Sequence, residues 1–315
     1  MPRSASPPRA SLILVLLALA TGCATPQPLP PGAGAPPSAP APPRAAAVPA
    51  PPLPAGGAAD PAAAACPQVP PEYVAALAAA RYPSPEKISR DLLPILRSTP
   101  GLQWDVDGRV LMVTWTLRSY YEQYASGQHF SLYGVTWLTA VPQAQDFCRA
   151  YRRQHPGEPL APRIFQALGM PVGSADGQVF AELWISPARF FRPCPDPEIT
   201  DHECQVEIPL AGVDTSPSAP GAPPWHCPEL AEPTPRQVSG GWVEVTQAHL
   251  AWMCTWWRSS YDGAGPGCDF PWTALGYTYD WGDPTDPVGL SEYVAPAGTP
   301  AVFHRLATPE EYCGD

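Results

Sequence analysis

Residues 66–315 predict an α+β fold, a single mixed domain of mostly antiparallel strands with several helices and disulfide-clipped loops. Three observations carry this. Strand-like and helix-period stretches interleave without a regular βαβ rhythm, no glycine-rich phosphate loop follows a strand, and eight cysteines are spread through the same region.

Ser84-Pro85-Glu86 has the form of a helix start with proline at the first helical position, and predicts a helix to Leu93, where Pro94 stops it. Leu102 to Val106 and Arg109 to Leu117 flank Asp107-Gly108, a pair suited to the positive φ of a two-residue turn, and predict a hairpin. Leu132 to Thr139 reads as a strand. A helix follows from Pro142 to Arg153, with Ala144, Phe147, Cys148 and Tyr151 on one face, which turns Cys148 inward. Pro162 to Leu168 predicts a short helix ended by Gly169, and Gln178 to Ile185 a buried strand. Cys204 to Leu210 reads as a strand and Ser216 to Pro235, rich in proline, as loop. Thr246 opens a helix whose Leu250, Met253, Cys254, Trp257 and Tyr261 form one stripe, with Trp252 and Trp256 on another side. Thr273 to Trp281 and Ala301 to Arg305 complete the pattern as strands.

Ahead of this region the chain has a different character. Arg3 and Arg9 precede an apolar run, Leu12 to Ala20, whose 9 residues are too few to span a bilayer as a helix, so residues 1–22 read as a signal peptide. Ala20-Thr21-Gly22-Cys23 resembles the lipobox of bacterial lipoproteins. That resemblance implies cleavage before Cys23, acylation of Cys23 as a membrane anchor and, with Ala24 next, sorting to the outer membrane. Residues 23–65 then form the lipidated cysteine and a Pro/Ala-rich disordered tether: 14 prolines fall among residues 24–65, with only Arg44 and Asp60 charged. Such composition cannot bury a core and favours extended segments rising about 3.1 Å per residue.

The chain carries a formal charge of -11, and loss of Arg3 and Arg9 with the signal peptide would take it to -13, which sets nucleic acid aside as a partner. Cys66, Cys148, Cys194, Cys204, Cys227, Cys254, Cys268 and Cys313 are an even set in a chain read as exported, and disulfides are expected. Eight cysteines allow 105 pairings. Cys194 with Cys204, and Cys254 with Cys268, are the local pairs that proximity favours.

Three stretches, Trp137-Leu138-Thr139-Ala140-Val141-Pro142, Arg192-Pro193 through Glu203, and Pro271-Trp272-Thr273 through Ser291-Glu292, resemble an uncharacterised family of secreted bacterial proteins. The likeness spans most of residues 66–315. It implies a recurring domain and brings no activity with it.

Function divides into two expectations. The commonest exported-hydrolase signatures G-x-S-x-G and H-E-x-x-H, and the P-loop, are missing from residues 66–315, and no cofactor is implied. Asp196, Glu198, Asp201, His202, Glu203 and Cys204 form a carboxylate-rich stretch with an imidazole, able to transfer protons or hold a divalent ion, or simply an acidic loop pinned by a disulfide. Asp280, Asp283 and Asp286 around Gly282, with Glu292 nearby, offer oxygen ligands for calcium or acid/base groups, or serve only as turn formers. No metal-ligand spacing is matched. Trp252, Trp256 and Trp281 belong to an aromatic-rich stretch that can stack on sugars or peptides, or pack in the core. The first expectation is a non-catalytic envelope module binding a wall, polysaccharide or protein partner. The alternative is an exported hydrolase of unfamiliar type that uses His202, Glu203, Asp280 or Glu292.

Overall fold

The computed structural model describes residues 66, 68–171, 177–210, 223–227, 245–261 and 265–314. The signal peptide, Cys23, the tether and most of the loop expected at 216–235 lie outside these residues. The fold is α+β, built on a six-stranded, wholly antiparallel sheet with a two-stranded sheet beside it.

Helix α1, Pro71–Ala80, opens with proline at its first turn and buries Tyr73, Ala76, Leu77 and Ala80, the i, i+3, i+4, i+7 face of an amphipathic helix. The first helix expected from the sequence lies later, over 84–93. There the chain forms only a 3₁₀ turn at Pro85–Lys87 and then runs extended. Its backbone donors go to other segments: Leu92 N–H to the His202 carbonyl at 2.9 Å, Leu93 N–H to Ser291 Oγ at 2.8 Å and Ile95 N–H to the Ile199 carbonyl at 2.7 Å. Tertiary pairing outcompetes local helix there.

Strand β1, Val110–Leu117, is central. The turn expected at Asp107-Gly108 forms, with Gly108 at φ +82° and the Asp105 N–H donating to the Arg109 carbonyl at 2.9 Å, but the preceding arm pairs only through the Trp104–Val110 bridge. β1 instead pairs along its whole length with β4, Gln178–Ile185, and on its other side with β3, Thr136–Ala140. β4 bonds to β8, Pro300–Ala307, which carries β2, His129–Ser131, while β3 carries β7, Tyr293–Ala295. The order is β2-β8-β4-β1-β3-β7. The strand expected at 132–139 is thus broken: Leu132 to Val135 separates β2 from β3.

Both faces of the sheet are covered here, which is why the first half of β1, Val110 to Val113, is apolar without a break. Leu111 and Val113 pack with α2 (Val141–Gln154), α3 (Leu160–Ala167) and α5 (Pro309–Tyr312). Val110 and Met112 pack on the opposite face with Tyr121, Leu132, Phe190 and Tyr293. A third, tryptophan-rich core joins α1 to α4, Gln247–Tyr261. β5, Tyr277–Tyr279, and β6, Val288–Ser291, form the small sheet. The longer strand expected from Thr273 gives way to a turn with Ala274 at φ +53° and Gly276 at φ +76°. No strand forms over Cys204 to Leu210.

Four disulfides join Cys66 to Cys268, Cys148 to Cys313, Cys194 to Cys204 and Cys227 to Cys254. The Cys194–Cys204 expectation holds, and the Cys254–Cys268 expectation does not. Cys254 sits mid-helix in α4, and the helix running on to Tyr261 carries the chain about 10 Å along its axis at 1.5 Å per residue, beyond the Cα spacing a disulfide bridges. Cys254 meets the 223–227 segment instead. The bridges are those of a protein that folds in an oxidising compartment, and among the described residues no helix is long and apolar enough to cross a membrane.

Candidate functional site

A cavity of about 540 Å³ opens beside the central strands. Its walls are Val113 to Thr116 of β1, Thr136 to Thr139 of β3, the Leu168-Gly169-Met170 turn after α3, Trp256 and Ser260 of α4, residues 270–272, and Tyr277 to Tyr279 of β5. Tyr120, Tyr133, Val135 and Phe270 form an exposed rim, so solvent reaches the interior. The size is that of a small-molecule site.

Twelve of its lining residues are aromatic. Trp137 is the hub: its ring meets Trp256 edge-on at 5.3 Å and Trp272 at 6.2 Å, and Trp252 stands behind at 6.4 Å. Trp252 is buried against Phe191, with ring centroids 4.8 Å apart, and supports the cluster from within. Among the described lining residues there is no lysine, arginine or histidine, and a single carboxyl group, that of Glu292.

Glu292 occupies the one-residue break between β6 and β7, held by its backbone N–H to the Gly276 carbonyl at 2.9 Å. Its Oε2 is buried without a hydrogen-bond partner, and loss of water pushes the carboxyl up to about 8, an effect that Trp272 beside it offsets only in small part. The Nε1 of Trp115, also in the lining, likewise has no partner. At neutral pH the cavity therefore holds a mostly protonated acid among aromatic faces. Burial also pushes the Tyr121 and Tyr277 phenols up to about 12, which keeps them neutral.

The remaining sequence candidates lie elsewhere or have other partners. Trp281 is buried, edge-on to Tyr73 at 5.5 Å, with its Nε1 donating to the Met170 carbonyl at 2.9 Å. Asp280 accepts a bidentate bond from Arg163 at 2.7 and 2.6 Å and caps Gly282 N–H at 3.0 Å, so its oxygens are spent on structure. Asp283 accepts from Thr285 and from the Asp286 N–H. His202 and Glu203 are exposed on the loop clipped by Cys194–Cys204. His202 Nδ1 lies 3.0 Å from the Leu92 carbonyl, and Glu203 lies 3.6 Å from Arg90. The fully buried Arg192 ties that loop down, donating to Asp201 Oδ1 at 2.5 Å and to the Asp201 and Glu203 carbonyls at 2.8 and 3.1 Å. Burial, with Asp201 and Glu198 nearby, pushes the Asp196 carboxyl up to about 6. Among the described residues no group of three or more His, Cys, Asp or Glu side chains is arranged to hold a metal.

Ser84 and Lys87 have the S-x-x-K spacing of a serine nucleophile and its lysine base. They do not form that pair: Lys87 Nζ donates to the Ala79 and Tyr82 carbonyls at 2.7 Å each, and Ser84 Oγ donates to Glu86. Of the candidates read from sequence, the fold brings Glu292 and Trp256 into one cavity. It adds Trp115, Tyr121, Phe130 and Trp137, which lie in a run of aromatics from 115 to 137. Comparison with protein families, curated proteins and solved structures finds no match to this chain.

Proposed function

We propose that this chain is a lipid-anchored envelope protein whose cavity binds, without turning over, a fragment of a wall polymer, a polysaccharide or a protein partner. The observation that carries the reading is the solvent-connected cavity of about 540 Å³, with twelve aromatic residues, several threonine hydroxyls and one carboxyl in its lining. Flat amphipathic rings with scattered polar groups suit ligands that have both apolar faces and hydroxyls. The signal-peptide and lipobox pattern ending at Cys23 supports the anchor, and the disulfides agree with export. The hydrolase alternative retains the protonated Glu292 as an acid. The described lining gives it no second carboxylate, histidine or cysteine to work with, so binding is the better-supported reading.

The test is titration of the purified full chain with solubilised wall digests and surface polysaccharides, read by tryptophan fluorescence, with Trp256→Ala in parallel. Saturable quenching by wild type, weakened at least tenfold in the variant and without change in ligand mass, is expected. Saturation equal in both proteins, or no ligand from any fraction, overturns the reading. Cleaved ligand in the mixture, lost in Glu292→Gln, moves the assignment to the hydrolase.

A further inference from the structure

The charge pattern of the cavity narrows its ligand, on the premise that the cavity is a binding site. No cationic side chain lines it among the described residues, so an anionic group would enter without a counter-charge. A cation meets the reverse. Aromatic faces present their negative quadrupole, and cation–π attraction is strongest over tryptophan in a desolvated site. Trp272 stands beside Glu292, with Trp137 and Trp256 in the same ring cluster. Glu292 Oε2 is buried without a partner and, when ionised, has no counter-charge among the described lining residues, and the formal charge of the chain, -11, draws cations in at long range. We propose that the cavity selects ligands bearing an organic ammonium group, with the Glu292 carboxylate as counter-ion and the tryptophan faces as its cage. The volume exceeds what an ammonium head fills, so the rest of the ligand shares the cavity, where the Trp115 N–H group is a donor for its oxygens.

Binding then exchanges one positive charge for another: the ammonium enters, and the proton of Glu292 leaves for solvent. Affinity for a cation that does not itself titrate therefore rises about tenfold per pH unit up to about 8, and levels off above it. The titratable groups facing Glu292 do not compete. Tyr261 of α4 and Tyr277 and Tyr279 of β5 are pushed up by burial, and Tyr121 opposite them likewise. Arg81 is stacked over Trp257 and Tyr261, and Arg192, next to Gly276, is bonded to Asp201 and to the Asp201 and Glu203 carbonyls.

The experiment is calorimetric titration of the full chain with choline, with its neutral isostere 3,3-dimethylbutan-1-ol and with N-acetylglucosamine oligosaccharides, at pH 6 to 9 and in two buffers of different ionisation enthalpy. Choline is expected to bind at least tenfold tighter than the isostere at pH 8, to release close to one proton at pH 6.5, and to weaken as pH falls, while the isostere shows no pH dependence. Glu292→Gln, its fold checked by near-ultraviolet circular dichroism, abolishes the proton release and flattens the choline profile. Equal affinity for choline and isostere, or a choline profile that is flat in wild type, overturns the inference. Oligosaccharide binding with no preference for choline removes the ammonium inference and leaves the binding reading standing. No binding of any of the three, together with no response to wall digests, removes both.

Discussion

Replacing Glu292 by glutamine should make the protein more stable in a way that depends on pH. The carboxyl is pushed from 4.5 to about 8 because the fold strips it of water. Between those values the native state holds a proton that the unfolded chain has released, so stability falls as pH rises. The contribution is fully present below about pH 4.5 and is lost as pH rises through about 8. At about 1.4 kcal/mol per pH unit, the loss is on the order of 4 to 5 kcal/mol, reduced by whatever water the cavity admits. Glutamine has the shape of the protonated acid and does not titrate. Guanidinium unfolding curves with the disulfides intact, taken for wild type and Glu292→Gln from pH 5 to 9, isolate this group, because other titrations are common to both proteins and cancel. The variant should match wild type near pH 5 and exceed it by several kcal/mol at pH 9. A difference that is the same at pH 5 and pH 9 would refute the desolvated carboxyl.

The acid side is governed by His249, which burial holds down at about 4 although its Nε2 lies 2.9 Å from the Cys194 carbonyl. Its contribution is present above about pH 6.5 and lost as pH falls toward 4, so His249→Gln should flatten the decline of the melting temperature over that window. Asp280→Asn should cost about 3 kcal/mol in denaturant unfolding by stripping the largely buried Arg163 of its bidentate partner, and a cost below 1 would show the pair to be superficial. Gly276→Ala should cost about 3 kcal/mol or prevent folding, since its Cβ would stand 2.6 Å from Arg192 Cδ and 2.9 Å from Cys204 Sγ at φ +76°. A soluble, wild-type-like yield of that variant would contradict the tight seat of Arg192.

The sequence was most legible where periodicity and burial agree. β4 falls where its apolar run predicts, and α2, α3 and α4 lie within a few residues of their expected bounds, each marked by an apolar face and α2 and α3 also by proline or glycine at an end. It failed where partners are remote. The segment after Lys87 carries helix-start chemistry, yet its N–H groups bond to residues about 100 to 200 positions away. α1 is hard to see in the sequence because its alanine-rich face carries little hydrophobic contrast. β7, three residues long, has meaning only as the edge of β3. The site divides the same way. Glu292 and Trp256 could be singled out as residue types, but no spacing reveals that strand order places Trp115 and Trp137 across a cavity from them.

The bridge from Cys66 to Cys268 spans 202 residues and lies just before α1. Tyr73 donates from that helix to the Asp269 carbonyl at 2.8 Å, against the same turn. A pull on the chain ahead of Cys66 is therefore carried by a covalent bond into the 265–270 turn before it can act on the helix. Tension from the N-terminal side stretches sulfur rather than peeling secondary structure, and the tryptophan core beneath α1 keeps its shape under strain. Reduction of this one bond would leave α1 as the first element to unzip.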